Sequence, residues 1–248
     1  MPVNRPRHWL RWLIGALVVL AVLAVAGPFA YIHFFAGSTP SALSLSPSAG
    51  TSSGSTAAGT PPGSPSAGTA ASQPVSGTYA VGPGSVVGYR VNEVLLGQNA
   101  TAVGRTSSVT GHLTVAGSTA TAASFSVPMA TVHSDKSQRD EQFDGRIMDV
   151  AKYPAGAFTL TSPIPLAPLP AIGTARGYNA HGKLTLHGTT REVTFTLTAE
   201  RTASGTLKVA GDIPVLFSDY NIANPSFAGF VTTQDHGLLE FLLVFART

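Results

Sequence analysis

The chain has 248 residues and no cysteine, which excludes disulfides, thiolate metal sites, a cysteine nucleophile and a lipid-modified N-terminal cysteine. All 12 acidic residues, and all but three of the 15 Lys and Arg residues, lie from Arg90 onward, so the net charge of +3 comes from Arg5, Arg7 and Arg11. The C-terminal part is therefore neutral, which argues against a basic surface for nucleic acid.

The N-terminal segment predicts a membrane anchor. Residues 1–12 carry the three arginines, and residues 13–35 form an apolar run that spans roughly 34 Å as a helix. Because positive residues precede the run, we expect residues 1–12 in the cytoplasm and the rest of the chain outside it. The alternative is a secretory signal peptide cleaved at Ala24-Val25-Ala26. Both interpretations export the C-terminal part.

Residues 36–76 predict a disordered linker. They are almost entirely Ser, Thr, Gly, Ala and Pro, with Leu43, Leu45 and Val75 as the larger apolar residues. Such a composition buries too little apolar surface to offset the entropy of ordering. A flexible chain of this length spans roughly 35 Å. Residues 77–248 then form one domain, which is long enough for a single core.

From Tyr79 onward, apolar and polar residues alternate with a period of two, and turn signals recur roughly every 8–15 residues. This pattern predicts an all-β fold of antiparallel strands, either a sandwich or a barrel. His187-Gly188 and Gly205 predict hairpin turns. Gly82-Pro83-Gly84 is interpreted as a hairpin turn, because a nucleotide loop requires a following helix.

Residues 137–150 predict the one helical insert. Phe143, Ile147 and Met148 share a face, and Pro154 prevents continuation of the helix. The last strand, around residues 238–245, is apolar on both faces. One face can fill the barrel, and the other needs cover from the helix, a loop or a partner such as a second copy of this chain.

The sequence indicates no catalytic site, no metal site and no cofactor. The domain histidines lack metal-ligand spacings, and His181 shares a polar strand face with Lys183 and Thr185. No G-x-S-x-G motif is present. The acidic residues around Asp140 alternate with arginines, as is typical of ion pairs on a helix.

Residues 77–247 resemble the YceI-like family of lipocalin-like barrels, and the resemblance implies an antiparallel β-barrel of about eight strands. The resemblance is carried by TYAVGPGSVVGYRV at residues 78–91, by Arg139-Asp140, by the residues from Asp149 to Tyr153-Pro154, by GKLTLHGTTR at 182–191, and by Ser218-Asp219-Tyr220. The sequence departs from the family pattern at Gln142-Phe143, where His-Leu is common, and at Phe217, where arginine is usual. Asn221 stands where glycine is usual, and together with Phe217 it makes the late loop more apolar and less cationic than the family pattern.

The resemblance implies a binding protein for a polyisoprenoid, a quinone or a fatty-acid derivative, held in an apolar lumen. We therefore expect a membrane-tethered, extracytoplasmic lipid-binding barrel with no enzymatic activity. The candidate lining residues are Tyr89, Val91, Phe125, Val127, Phe143, Met148, Phe158, Phe195, Leu197, Phe217, Phe227, Phe230, Phe241 and Leu243. The helical insert and the loop 221–229 are predicted to gate the mouth of the barrel. The alternative is an interaction module with a filled barrel and no small-molecule ligand.

Overall fold

The structure is a computed structural model, and it describes residue 17 and residues 39–45, 75–95, 97–226 and 231–248. Antiparallel strands dominate it. In chain order the strands are β1 (Gly77–Val81), β2 (Val86–Leu95), β3 (Gln98–Thr106), β4 (Thr110–Ala116), β5 (Thr119–Pro128), β6 (His133–Ser134), β7 (Ala155–Leu160), β8 (Ile164–Pro165), β9 (Arg176–Leu186), β10 (Thr189–Arg201), β11 (Leu207–Leu216), β12 (Val231–Thr233) and β13 (His236–Arg247).

Within these residues, eight strands close a barrel in the order β1-β4-β5-β7-β9-β10-β11-β13, and the pairing of β1 with β13 completes the ring. The alternating pattern explains the closure, because every strand turns one apolar face inward. Phe125, Leu184, Phe195 and Phe241 are buried inside, in one continuous core. The predicted barrel and its strand number are confirmed.

The first two strands correct one prediction. β13 pairs with β2 through Leu238–Leu242 and with β1 through Phe245–Arg247, so both strands lie along the same edge of β13. The Gly82-Pro83-Gly84 turn therefore bends one long edge between two strands in line, and does not form a hairpin. Hydrogen bonds to β13 hold this turn in place. The carbonyl of Val244 accepts one from the Gly82 amide at 2.7 Å and one from the Ser85 hydroxyl at 3.5 Å.

The helical insert lies beside β3, which is not one of the eight strands of the closed barrel. A 3₁₀ turn at Met129–Thr131 leads into β6, which pairs with β3. Helix α1 (Ser137–Gln142) follows and continues as a π-helical turn at Phe143–Ile147. The Met129 amide donates to the carbonyl of Pro154 at 2.9 Å, so the two ends of the insert meet at β7.

Part of the predicted linker contacts the barrel. Arg90 donates a hydrogen bond of 2.7 Å to the carbonyl of Pro40, and Arg105 donates to the carbonyl of Ser41. Leu43 and Leu45 are half-buried, and Val75 is buried in the core. Residues 46–74 lie outside the described residues.

No helix within the described residues has both the length and the apolar character required to cross a bilayer. The predicted anchor, residues 13–35, lies outside the described residues except for residue 17.

The outer face of the last strand is covered from within the chain. Glu240 is only 3% exposed, and its carboxylate lies 2.6 Å from Nε of Arg90 and 3.4 Å from Nη2 of Arg105. Gly88 separates Glu240 from Arg105 in the strand register, and a side chain there would collide with Arg105. Charged side chains were not among the predicted covers, which were the helix, a loop or a partner.

Candidate functional site: an apolar lumen in two chambers

The described residues enclose two apolar cavities inside the barrel. The first chamber has a volume of about 160 Å³ and lies between β2, the helical insert and the segment after β11. The second chamber has a volume of about 110 Å³ and lies between β4, β9, β10 and the segment around Leu166–Pro170. Apolar concave sites with a few convergent polar groups are where small molecules typically bind.

The predicted lining residues divide between the two chambers. Residues of the first chamber are Tyr89, Val91, Phe125, Val127, Phe143, Met148 and Phe217. Residues of the second chamber are Phe125, again, with Phe158, Phe195, Leu197, Phe241 and Leu243. Phe227 and Phe230 lie outside the described residues. The sequence therefore selected inward positions, but it did not indicate that they belong to separate spaces.

The helical insert contributes an aromatic wall to the first chamber. The rings of Tyr89 and Phe143 stack, with centroids 5.1 Å apart and planes inclined by 15°. The tyrosine ring lies over Gly104, where a Cβ atom would be only 2.3 Å from it. Ile147 and Met148 line the same chamber, so the predicted inward face of the insert is confirmed.

The first chamber ends in a small charged rim. Glu93 and Arg139 both line it, with Oε1 and Nη2 3.6 Å apart, and Arg139 also pairs with Asp135. Burial raises the pKa of Glu93 above its ordinary value, while nearby Arg139 opposes the shift and Asp135 adds to it. Burial likewise raises the pKa of the Tyr89 hydroxyl, with Arg139 the largest opposing influence. The rim therefore holds a neutral hydroxyl and a positive charge that is balanced by carboxylates.

Asp140 fixes the helix that carries Arg139. Its Oδ1 accepts hydrogen bonds from the amide and hydroxyl of Ser134 at 2.8 and 2.7 Å, which ties the first turn of α1 to β6. Its Oδ2 lies 3.4 Å from Nδ1 of His133. Of the Arg139-Asp140 pair, the aspartate is a positioning residue and the arginine faces the chamber.

The GKLTLHGTTR segment and the Ser218-Asp219-Tyr220 turn contact each other outside the lumen. Arg191 donates to the carbonyl of Asp219 at 2.8 Å, Asn221 donates to the hydroxyl of Thr189 at 3.0 Å, and Nδ1 of His187 lies 3.2 Å from the carbonyl of Tyr220. These contacts hold the 3₁₀ turn Phe217–Tyr220 against the barrel. As a consequence, Phe217 enters the first chamber.

The turn between β9 and β10 has two residues with positive φ, His187 at 46° and Gly188 at 72°. This is the backbone that a two-residue hairpin prefers, so the predicted turn is confirmed. The ring of Tyr153 lies against it, and a Cβ at Gly188 would be 2.4 Å from that ring. The Tyr153-Pro154 step therefore closes the insert onto this hairpin.

Sequence reasoning missed the charged rim. Val87, Tyr89, Val91 and Glu93 share one face of β2, so a carboxylate at an inward position could have been read from the alternation itself. Arg139 gave no comparable signal, because helical charges usually face solvent. Among the described residues, no group of three or more His, Asp or Glu side chains is placed to hold a metal ion.

Comparisons with known proteins agree with this geometry. The family model of the YceI-like domain matches residues 79–245. A polyisoprenoid-binding domain from Saccharophagus degradans, implicated in plant cell wall breakdown, is similar at 15% identity, with a TM-score of 0.56 over 69% of this chain and 98% of its own. BcnA from Burkholderia cenocepacia is similar at 21% identity, with a TM-score of 0.50 over 67% of this chain and 95% of its own.

At these identities, the two structures establish likeness of fold alone. No curated protein sequence matches the chain. The family match covers well over half of the chain and includes the barrel, the insert and the hairpin described above. The chain belongs to the YceI-like domain family.

Proposed function

We propose that this protein binds one apolar ligand with its chain in the first chamber and its polar end at the rim of Tyr89, Glu93 and Arg139. The observation that carries the proposal is an apolar cavity that ends at a few half-buried polar groups. The polyisoprenoid-binding domain of similar fold supports an isoprenoid chain as the ligand class. Quinones and fatty-acid derivatives fit the same space.

The rim favours an uncharged polar end on the ligand. Arg139 is already paired with Glu93 and Asp135, so an added carboxylate or phosphate would meet two negative groups as well as one positive group. A hydroxyl or carbonyl can instead exchange hydrogen bonds with the Tyr89 hydroxyl and the guanidinium. A quinone or an alcohol therefore suits the site better than a fatty acid.

The setting of the binding protein is part of the proposal. Arg5, Arg7 and Arg11 before an apolar run support an anchor at residues 13–35 with the barrel outside the cytoplasm. Apolar ligands of this class partition into bilayers, so a barrel held beside the membrane has its ligand nearby. The barrel would act as a holder of the ligand, because its chamber is lined almost wholly by apolar side chains.

Organic extraction of the purified full chain, followed by identification of the extracted lipid, tests the proposal. We expect one co-purified apolar molecule per chain. Ala102 lines the first chamber and Ala123 the second, so Ala102→Leu and Ala123→Leu make a matched pair of space-filling variants. The first variant should lower the yield of bound lipid at least tenfold, and the second should leave it within about twofold.

An extract without lipid, together with no uptake of geraniol, farnesol or menaquinone by the purified chain, would refute binding. Equal losses in both alanine variants would assign the ligand to the whole lumen. The filled-barrel alternative predicts that neither variant changes anything except stability.

A further inference from the structure

Four phenylalanines of the described residues form a closed ring across the middle of the barrel. They stand on β5, β7, β10 and β13, and we call them the aromatic belt: Phe125, Phe158, Phe195 and Phe241. Their centroid distances around the ring are 5.4 Å (Phe125 to Phe158), 5.4 Å (Phe158 to Phe195), 5.8 Å (Phe195 to Phe241) and 6.0 Å (Phe241 to Phe125). Each distance lies in the range of attractive aromatic pairs.

Two glycines on the remaining strands make room for the belt. A Cβ atom at Gly182 of β9 would lie 2.4 Å from the ring of Phe158, and one at Gly211 of β11 would lie 2.9 Å from the ring of Phe241. The rings of Phe158 and Phe241 therefore pack directly against the backbone of these two glycines. An eight-stranded barrel is only wide enough for side chains or for one slender ligand, so four rings at one level fill its cross-section.

The belt lies between the two chambers. Along β5, Val127 lines the first chamber, Phe125 lines both, and Ala123 lines the second. Along β13, Leu239 lines the first chamber, whereas Phe241 and Leu243 line the second. Two independent strands thus give the same order, with the belt as the boundary.

We propose that the aromatic belt ends the binding tunnel at mid-barrel and so sets the length of the ligand chain that this protein can bury. The inference rests on the proposed function, and it adds the size class of the ligand. From Gly237 at the outer end of the first chamber to Phe241, four strand residues advance about 13 Å. The tilt of barrel strands reduces this to about 10 Å along the axis.

An extended hydrocarbon with C–C bonds of about 1.5 Å advances roughly 1.3 Å per carbon, so about eight carbons fit above the belt. The protein is therefore matched to a chain of about two isoprene units. In a longer chain the additional carbons displace the polar end outward from the rim, so they add no buried surface.

A series of straight-chain primary alcohols from hexanol to hexadecanol tests this length limit. Binding to the full chain is measured by native mass spectrometry from one detergent, so partition of each alcohol into the detergent is the same for every variant. For the parent, affinity should rise about fourfold per added carbon up to octanol or decanol and then level off. Phe158→Leu and Phe195→Leu keep an apolar side chain but make a gap in the aromatic belt. In these variants the affinity should continue to rise for longer alcohols.

Phe245→Leu is the matched control. Phe245 is buried in the second chamber but lies outside the belt, so this variant should follow the parent at every length. The length limit is overturned if the parent's affinity still rises through hexadecanol, or if Phe245→Leu extends the rise as far as Phe158→Leu does. If the parent binds no alcohol of any length, the proposed function itself fails.

Discussion

The two chambers have the same kind of apolar wall but different ends. Both are enclosed by inward-facing residues of barrel strands, and both contact Phe125 of the belt. The first chamber is completed by the helical insert, which brings Arg139 opposite Glu93 of β2. The second is completed by the segment around Leu169 and Pro170, and its lining includes the adjacent charged residues Glu200 and Arg201 of β10. The alternation of residues along the strands is enough to form an apolar lumen. The helical insert adds the polar rim at the end of the first chamber.

The boundary between the chambers should also be the most sensitive point for stability. Phe241 is 2% exposed and contacts both Phe125 and Phe195 in the belt. Phe241→Ala should lower the free energy of unfolding by about 3–5 kcal/mol, because it removes buried area and leaves a cavity. Urea denaturation of the full chain measures this. Leu216→Ala, at a position 41% exposed, should change stability by less than about 0.5 kcal/mol.

A loss below about 1 kcal/mol in Phe241→Ala would mean that the belt is loosely packed. The two chambers would then be one space with mobile rings.

The next largest effect should fall on the first chamber alone. Glu240 holds Arg90 and Arg105, so it ties β13 to the β2–β3 hairpin, which forms a wall of this chamber. Glu240→Ala should cost about 2 kcal/mol, because it leaves two partly buried arginines without their carboxylate. Amide hydrogen exchange should accelerate in β2 and β3 more than in β1 and β4.

Asp212 provides the control, since it lies directly opposite Glu240 on β11 but is exposed. Asp212→Ala should leave both stability and exchange nearly unchanged. Uniform acceleration across all strands in Glu240→Ala would show that the hairpin has no separate stability and that the chambers are one cooperative unit.

The smallest expected effect concerns the polar rim. Because burial raises the pKa of Glu93, the folded chain keeps this proton to higher pH than the unfolded chain. The folded state then binds more protons in that window, so stability falls as pH rises above the ordinary value of 4.5. The Glu93→Gln variant lacks this dependence. Its stability relative to the parent should therefore increase from acidic to neutral pH in urea titrations.

Glu192→Gln removes an exposed carboxylate that lies 3.7 Å from Lys183 on the outside of the barrel. Its difference from the parent should stay flat over the same pH range. If Glu93→Gln is equally flat, the rim is more hydrated than its burial indicates. The first chamber would then end in solvent, and its polar rim would be part of the surface of the protein.

Much of the fold could be predicted from local pattern. The alternation of Val193, Phe195 and Leu197 with threonines specifies which face of β10 is buried, and His187-Gly188 specifies the turn before it. Gly82-Pro83-Gly84 was misread, because a turn sequence is the same whether its flanking strands pair with each other or lie in line. Only the pairing of both strands with β13 decides between these outcomes.

The candidate site was predictable in kind but not in shape. Inward apolar positions follow from the period of two, so most lining residues could be named. The separation of those residues into two chambers depends on which rings meet across the barrel. Phe125 and Phe241 are neighbours only because the closed ring of strands brings their side chains together in the lumen, although β1 and β4 lie between β5 and β13 in the ring.

Three properties follow from local sequence. The neutral charge of the domain follows from composition, and the antiparallel strands and the one helical insert follow from short-range periodicity. The tertiary structure decided the rest: the belt, the charged rim and the cover over the last strand. Each of these joins residues far apart in the chain, such as Glu93 with Arg139 or Arg90 with Glu240. Their contact depends on strand register and barrel closure, which local pattern does not contain.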